Sequence, residues 1–247
     1  MRQIPLKLVV NKENCFDNFW GGPNSSLVDE LQSQIKSNSS AQWIYLQGQQ
    51  GAGKSHLLQA CYQYSQKNGL KANYLAFPEL VSFWVESMET SSLDSGEWVE
   101  AFTDADWLFV DELDFKVTVN EKQRKLIDRA LFQLLNYCLL EQKPRLMFAS
   151  REAIAKLMFQ LDDLRSRLGL AHVLNLKPLD DEDMSLWLRV KADQLGFKME
   201  QEAASFLLRR WPRDLHALNH ALTQLNDFSL SHHRRVTIPA IKQALAI

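Results

Sequence analysis

Two kinds of apolar patterning divide the chain. In the first two thirds, short, mostly apolar runs recur at Trp43-Ile44-Tyr45-Leu46, Ala72–Phe77, Trp107–Val110, Arg145–Ala149 and Val173–Leu176. Runs this short, without regular polar alternation, suit strands buried on both faces. Between them lie helical signals. Asn24-Ser25-Ser26 supplies an N-cap for a helix to about Ser37. A helix is predicted from Lys54 to about Lys67, stopped by Asn68-Gly69, and Pro78 opens another. Leu126-Ile127, Ala130-Leu131, Leu134-Leu135 and Cys138-Leu139 step by four along a long amphipathic helix. The polar stretch Thr90–Gly96 reads as a loop. Past Pro178 the strand signal ends. Asp180–Leu195, Glu200–Arg210, Arg213–Phe228 and Pro239–Ala246 all read as helices.

Strands alternating with helices predict an α/β fold, a five-stranded parallel sheet with helices on both faces, followed by a small all-α domain. The expected organisation is an N-terminal tail over 1–15, an α/β domain over 16–177 and a helical domain over 178–247. The tail joins an apolar, proline-containing peptide to a polar turn, Asn11-Lys12-Glu13-Asn14. The aromatic cluster Phe16-Asp17-Asn18-Phe19-Trp20 has two readings, a staple onto the core or the wall of a base pocket.

The first predicted strand runs into Gly48-Gln49-Gln50-Gly51-Ala52-Gly53-Lys54-Ser55 and then a helix. This is the pattern and the context of a phosphate-binding loop. Glycines allow a tight turn that presents backbone N–H groups to phosphate oxygens, and Lys54 supplies a mobile positive charge. Ser55 offers a hydroxyl to Mg²⁺, and the helix start favours an anion. The third strand ends in Asp111-Glu112. At the C-terminal edge of a parallel sheet, Asp111 can hold Mg²⁺ through water, and Glu112 can orient the attacking water. The fourth strand ends at Ser150, a candidate for sensing the γ-phosphate or an ordinary strand-end serine in a turn. Arg165 and Arg167, in Asp163-Leu164-Arg165-Ser166-Arg167-Leu168, either lie on a solvated face or reach a neighbouring subunit's nucleotide. Arg213 is either a surface residue or a group that closes over bound phosphates.

Composition removes several classes of function. The net charge is −2, so no broad basic field holds this chain on duplex DNA by phosphate neutralisation alone. Residues 177–247 hold ten Lys or Arg against nine Asp or Glu, which is no DNA-reading module, so sequence-specific duplex binding is not expected. Three widely spaced cysteines, Cys15, Cys61 and Cys138, suit neither a disulfide framework nor a metal cluster, and point to the cytoplasm. No signal peptide and no membrane span is expected.

The order of phosphate loop, Asp-Glu strand end, polar strand end, arginine box and a late arginine resembles the AAA+ ATPases, and specifically their DnaA branch. Phe16-Asp17-Asn18-Phe19 is similar to the segment that opens the DnaA nucleotide domain. Asn24-Ser25-Ser26-Leu27, Ser55-His56-Leu57-Leu58, Lys177-Pro178-Leu179 with the acidic Asp180-Asp181-Glu182-Asp183, and Thr237-Ile238-Pro239 are similar to the Hda-like regulators of that branch. The segment Val85–Thr103 has no counterpart in the resemblance, and Arg151 stands where an acidic residue is frequent in relatives.

The resemblance implies a helical lid carrying Arg213. It also implies ADP or ATP with Mg²⁺ held by Gly48, Gly51, Ala52, Gly53, Lys54, Ser55, His56, Ser150, Arg213 and Asp111. In such regulators the protein docks on the sliding clamp, the β subunit of DNA polymerase III, and promotes hydrolysis of DnaA-bound ATP, with Arg167 acting on the partner's nucleotide. Intrinsic ATPase activity is weak or absent, and a homo-oligomer is possible. Gln3-Ile4-Pro5-Leu6-Lys7-Leu8 is similar to their clamp-binding peptide, Gln-Leu-x-Leu-Pro-Leu, with Lys7 replacing the proline. In an extended chain Ile4, Leu6 and Leu8 project the same way, and Gln3 hydrogen-bonds at the pocket rim. The competing reading of the peptide is a strand packed on its own domain. The competing readings of the whole chain are a DnaC-like helicase loader or self-assembling ATPase, and a nucleotide-locked adaptor.

Overall fold

The structure, a computed structural model, describes residues 10–37, 43–87, 97–115, 118–232 and 236–247. The chain forms two compact units, divided between Lys177 and Pro178. In the first unit the strands are β1 (Ile44–Gly48), β2 (Ala72–Ala76), β3 (Trp107–Asp111), β4 (Arg145–Ser150) and β5 (His172–Leu176). They pair in parallel in the order β2-β3-β4-β1-β5. Every residue of β3 is buried, as the unbroken apolar run requires.

Each strand sends alternate residues to opposite faces. On one face Ile44, Leu46, Trp107, Phe109, Met147 and Ala149 pack with α1 (Ser25–Lys36) and α2 (Lys54–Lys67), through Leu31, Ile35, Leu57, Leu58 and Cys61. On the other, Tyr45, Leu108, Val110, Leu146 and Phe148 pack with α3 (Phe77–Ser87), α4 (Glu97–Thr103) and α5 (Glu121–Leu140). Helix α5 starts five residues before the stepped pattern does. A reciprocal cap sets its start: Asn120 Oδ1 accepts from Gln123 N at 2.9 Å, and Asn120 N donates to Gln123 Oε1 at 3.0 Å. A short helix, α6 (Asp162–Leu168), precedes β5.

Two local expectations need correction. Asn24 stands at the start of α1, but its side chain makes no capping bond. Being buried, it instead clasps Lys177 from both sides, donating to its carbonyl at 2.9 Å and accepting from its N–H at 2.8 Å. Residues 11–15, read from the sequence as part of a tail, lie on α2. Asn11 N and Asn14 Nδ2 both donate to Gln59 Oε1, at 3.0 and 2.9 Å. The backbone of this segment is therefore satisfied by a helix of the domain. Gln3, Ile4, Leu6 and Leu8, and the stretch Thr90–Gly96, lie outside the described residues.

The second unit packs α7 (Asp181–Gln194), α8 (Gln201–Arg210), α9 (Leu215–His232) and α10 (Ile238–Leu245) around Leu188, Leu207, Leu218, Leu222, Leu225 and Ile241. Helix α7 begins with a capping box between Asp180 and Asp183. Helix α9 begins two residues later than its sequence pattern suggests, because Asp214 Oδ1 accepts from Ala217 N at 2.8 Å and so caps it. Arg213 is thus left just outside the helix.

Candidate functional site

The phosphate loop lies between β1 and α2, at the C-terminal edge of the sheet. Gly51 and Gly53 have φ of 78° and 94°, the left-handed region that glycine enters without strain. Gly48 is constrained differently. It pairs with Leu176 of β5, and a Cβ here would lie 3.0 Å from both Leu176 Cβ and Leu176 O. Lys54 Nζ donates to Gln49 O at 2.8 Å, so the loop curls back over its own lysine. Burial lowers the pKa of this ammonium, and Asp114 and Asp111 oppose the shift.

Strand β4 lies between β1 and β3, which brings the ends of β1 and β3 to one edge. Ser55, Gln59, Tyr74, Ala76, Glu79, Asp111 and Glu112 line a cavity of about 260 Å³ there. Asp111 is buried; its Oδ2 accepts from the Tyr74 hydroxyl at 2.7 Å and its Oδ1 from the N–H of Glu112 at 2.8 Å. Glu112 turns off the strand with φ of 56°. Burial, and then the neighbouring Asp111, raise its pKa above the usual glutamate range.

These residues fit a magnesium nucleotide. Gly51 leaves open space where a side chain would stand, and a hydroxyl and a carboxylate face one cavity beside a lysine. Among the described residues no three His, Cys, Asp or Glu side chains form a cage that would hold a metal unaided. Mg²⁺ characteristically takes one or two protein groups and completes its shell with phosphate oxygens and water.

The remaining sequence candidates fall in different places. Ser150 is buried, with its hydroxyl used within one turn: Oγ donates to Glu152 O at 3.0 Å and accepts from Glu152 N at 3.1 Å. It does not line the cavity. The next residue, Arg151, is clasped by Asp114, Nε to Oδ2 at 2.6 Å and backbone N to Oδ1 at 2.9 Å. His56 Nε2 lies 2.9 Å from Cys15 O. Phe16 packs edge-on to Tyr64 and Phe19 to His56, each with ring centroids 5.4 Å apart. The aromatic cluster is therefore a staple on α2. Phe19 also touches the phosphate loop, since a Cβ on Gly53 would lie 2.8 Å from its ring.

The two arginines of α6 have different surroundings. Arg165 donates to Asp162 Oδ1 at 2.9 Å and to Phe159 O at 2.7 Å, which ties it to its own loop. The Arg167 guanidinium lies 4.3 Å from the centroid of the Phe132 ring, and its buried Nε has no hydrogen-bond partner. In the helical unit, Arg213 donates to Asp181 Oδ1 at 2.9 Å and Leu208 O at 3.3 Å.

Tyr74, Gln59, Glu79 and Asp114 were missed by sequence reasoning. None belongs to a motif. The only trace of Tyr74 is a hydroxyl in a mostly apolar run, facing the same side as α2.

Residues 10–175 match the family model of the bacterial DnaA ATPase domain. The chain belongs to the bacterial DnaA ATPase family. Residues 180–245 match the model of the Hda lid domain, so a DnaA-type ATPase domain is joined here to an Hda-type lid. Solved structures agree on the fold. AMPPCP-bound DnaA from Aquifex aeolicus is 18% identical, with a TM-score of 0.74 over 96% of this chain and 70% of that one. Domain III of Thermotoga maritima DnaA is 21% identical, with a TM-score of 0.73 over 97% and 98%. The RuvB branch migration motor of T. maritima is more distant, at 16% identity and a TM-score of 0.62 over 94% and 71%. The fold is thus that of an AAA+ P-loop NTPase with a helical lid. The pairing of DnaA-type ATPase domain and Hda-type lid makes the chain an AAA+ protein related to replication initiation. Among the described residues, no helix is long and apolar enough to cross a membrane.

Proposed function

We propose that this chain is a nucleotide-binding regulator of DNA replication initiation that docks on the sliding clamp and promotes hydrolysis of ATP bound to DnaA. The observation that carries this reading is Arg167. It stands in a DnaA-type ATPase domain followed by an Hda-type lid, held by the Phe132 ring rather than by a carboxylate. A guanidinium held this way keeps its charge and its terminal N–H donors for a second molecule. Supplied in trans, it stabilises charge on the phosphoryl group being transferred from the partner's ATP.

The chain's own site has a different part. The loop Gly48–Ser55, including Ala52, and Lys54 hold the phosphates of ADP or ATP, and His56 braces the helix start through Cys15. Ser55 and Asp111 hold Mg²⁺, which neutralises phosphate charge. Glu112 has the place for water activation, while the Ser150 hydroxyl is engaged within its own turn, which favours weak intrinsic turnover. Arg213, paired with Asp181 in its own unit, is the lid residue expected to contact bound phosphates. Gln3, Ile4, Leu6 and Leu8 supply the clamp contact. The protein acts in the cytoplasm and needs no duplex recognition of its own.

Release of phosphate from ATP preloaded on DnaA tests this, with and without clamp-loaded DNA. The expected result is that wild type accelerates release only when the clamp is present. Rapid ATP turnover by the chain alone, indifferent to DnaA, would instead establish the self-assembling ATPase or helicase-loader reading.

A further inference from the structure

One turn beyond the phosphate loop, α2 carries Gln59, buried and polar. Its Nε2 donates to the Tyr74 hydroxyl at 3.1 Å, and that hydroxyl donates to Asp111 Oδ2 at 2.7 Å. Its Oε1 faces the other way and accepts from Asn11 N and Asn14 Nδ2, at 3.0 and 2.9 Å. A turn further along, Gln63 Nε2 donates to the carbonyls of Asn11 and Asn14, at 3.1 and 2.8 Å.

The direction of this chain of bonds follows from its ends. An ionised carboxylate only accepts, so Tyr74 must give its single proton to Asp111 and accept from an N–H. Gln59 therefore points its amide nitrogen at Tyr74 and its oxygen at the N-terminal segment. A reversed amide would set its NH₂ against two other donors, Asn11 N and Asn14 Nδ2. With Asp111, Tyr74 and Gln59 buried and Asn14 half-buried, a broken link among them leaves a polar group without water, which costs more than the bond is worth in solvent.

We propose that Tyr74 and Gln59 form a relay coupling the Mg²⁺–nucleotide site at Asp111 to the docking of residues 11–15 on α2. When Asp111 turns toward hydrated Mg²⁺, Tyr74 follows and Gln59 is held in the orientation that receives Asn11 and Asn14. The coupling is reciprocal: docking of the segment strengthens Mg²⁺-dependent nucleotide binding by the factor by which bound Mg²⁺–nucleotide strengthens docking. Residues 1–9, with the proposed clamp peptide, join the domain at this segment, so nucleotide state reaches the peptide's point of attachment. The inference rests on the proposed nucleotide binding.

The test uses the full chain as wild type, Tyr74→Phe and Asn14→Ala. ADP affinity is measured by calorimetry in Mg²⁺ and in EDTA, and the ratio is compared. Amide exchange of residues 11–15 is followed with and without Mg²⁺–ADP. Each variant is expected to shrink the Mg²⁺ enhancement of ADP affinity by at least about fivefold. The double variant should lose no more than the larger single loss, because both act on one chain of bonds. Mg²⁺–ADP should slow exchange at 11–15 in wild type but not in Tyr74→Phe. If Tyr74→Phe does not fold, Asn14→Ala, at the surface end, decides by itself. A wild type that binds ADP, with an Asn14→Ala ratio unchanged, overturns the relay alone. A wild type that binds no ADP in Mg²⁺ overturns the nucleotide reading and the relay together.

Discussion

Arg165 and Arg167 lie two residues apart on α6, and their surroundings predict opposite consequences of replacement by alanine. Arg165 donates to the Phe159 carbonyl at 2.7 Å, in a part-buried position. A hydrogen bond from a charged donor contributes about 1.5–3 kcal/mol. Its partner Asp162 has 95% of its side chain exposed, so that ion pair adds little. Arg165→Ala should therefore cost about 2 kcal/mol, or roughly 4–8 °C in melting temperature for a unit of this size. Arg167 loses only its contact with Phe132, worth about 0.5–1 kcal/mol, and its Nε forfeits no bond. Its melting temperature should fall by roughly 1–4 °C. Function should order the two the other way. Removing a trans-acting arginine is worth about 10³–10⁵ in rate in well-studied NTPases, so Arg167→Ala should lose nearly all stimulation of DnaA. Arg165→Ala should keep it at temperatures where the protein is folded. The assay pairs thermal melting with single-turnover release of phosphate from DnaA-bound ATP. Normal stimulation by Arg167→Ala, with loss in an undestabilised Arg165→Ala, would refute the reasoning.

Four further outcomes are expected. Lys54→Ala should abolish the rise in melting temperature that ADP or ATP produces in wild type, which at a hundredfold excess over Kd corresponds to about 2.7 kcal/mol. Gly48→Ala forces a methyl against the Leu176 backbone and should cost about 1–3 kcal/mol in denaturant unfolding, even without nucleotide. Glu112 has a raised pKa when folded, so it binds its proton more tightly in the native state, and its ionisation weakens the fold as pH rises from the ordinary glutamate range through the raised value. Glu112→Gln should accordingly raise the melting temperature at neutral pH, and the gain should vanish in acid, below the ordinary glutamate range. Replacing Gln3 and Leu6 together by alanine should abolish clamp capture in a pull-down and leave ADP affinity unchanged.

Much of this architecture is legible in single stretches of sequence. The apolar runs became the five strands, and the helix expected after the phosphate loop runs over Lys54–Lys67. The phosphate loop is local chemistry: its glycines, lysine and serine act through neighbours a few residues away, so their spacing is sufficient. Helix starts were read less well where side chains rather than apolar periodicity set them, as Asn120 and Gln123 do for α5 and Asp214 does for α9. Other features needed the tertiary structure. The strand order places β4 between β1 and β3 and so sets Ser55 and Asp111 on one cavity. Two arginines of one helix differ because Phe132 lies under one and the Phe159 carbonyl beside the other. Gln59 and Tyr74 matter because α2 and β2 meet over Asp111, and residues 11–15 belong to the domain because Gln59, Gln63 and His56 receive them. Periodicity records which side of an element is dry. It does not record which polar group waits there, because a hydrogen bond is decided by distance and direction across the fold, between residues the chain keeps far apart.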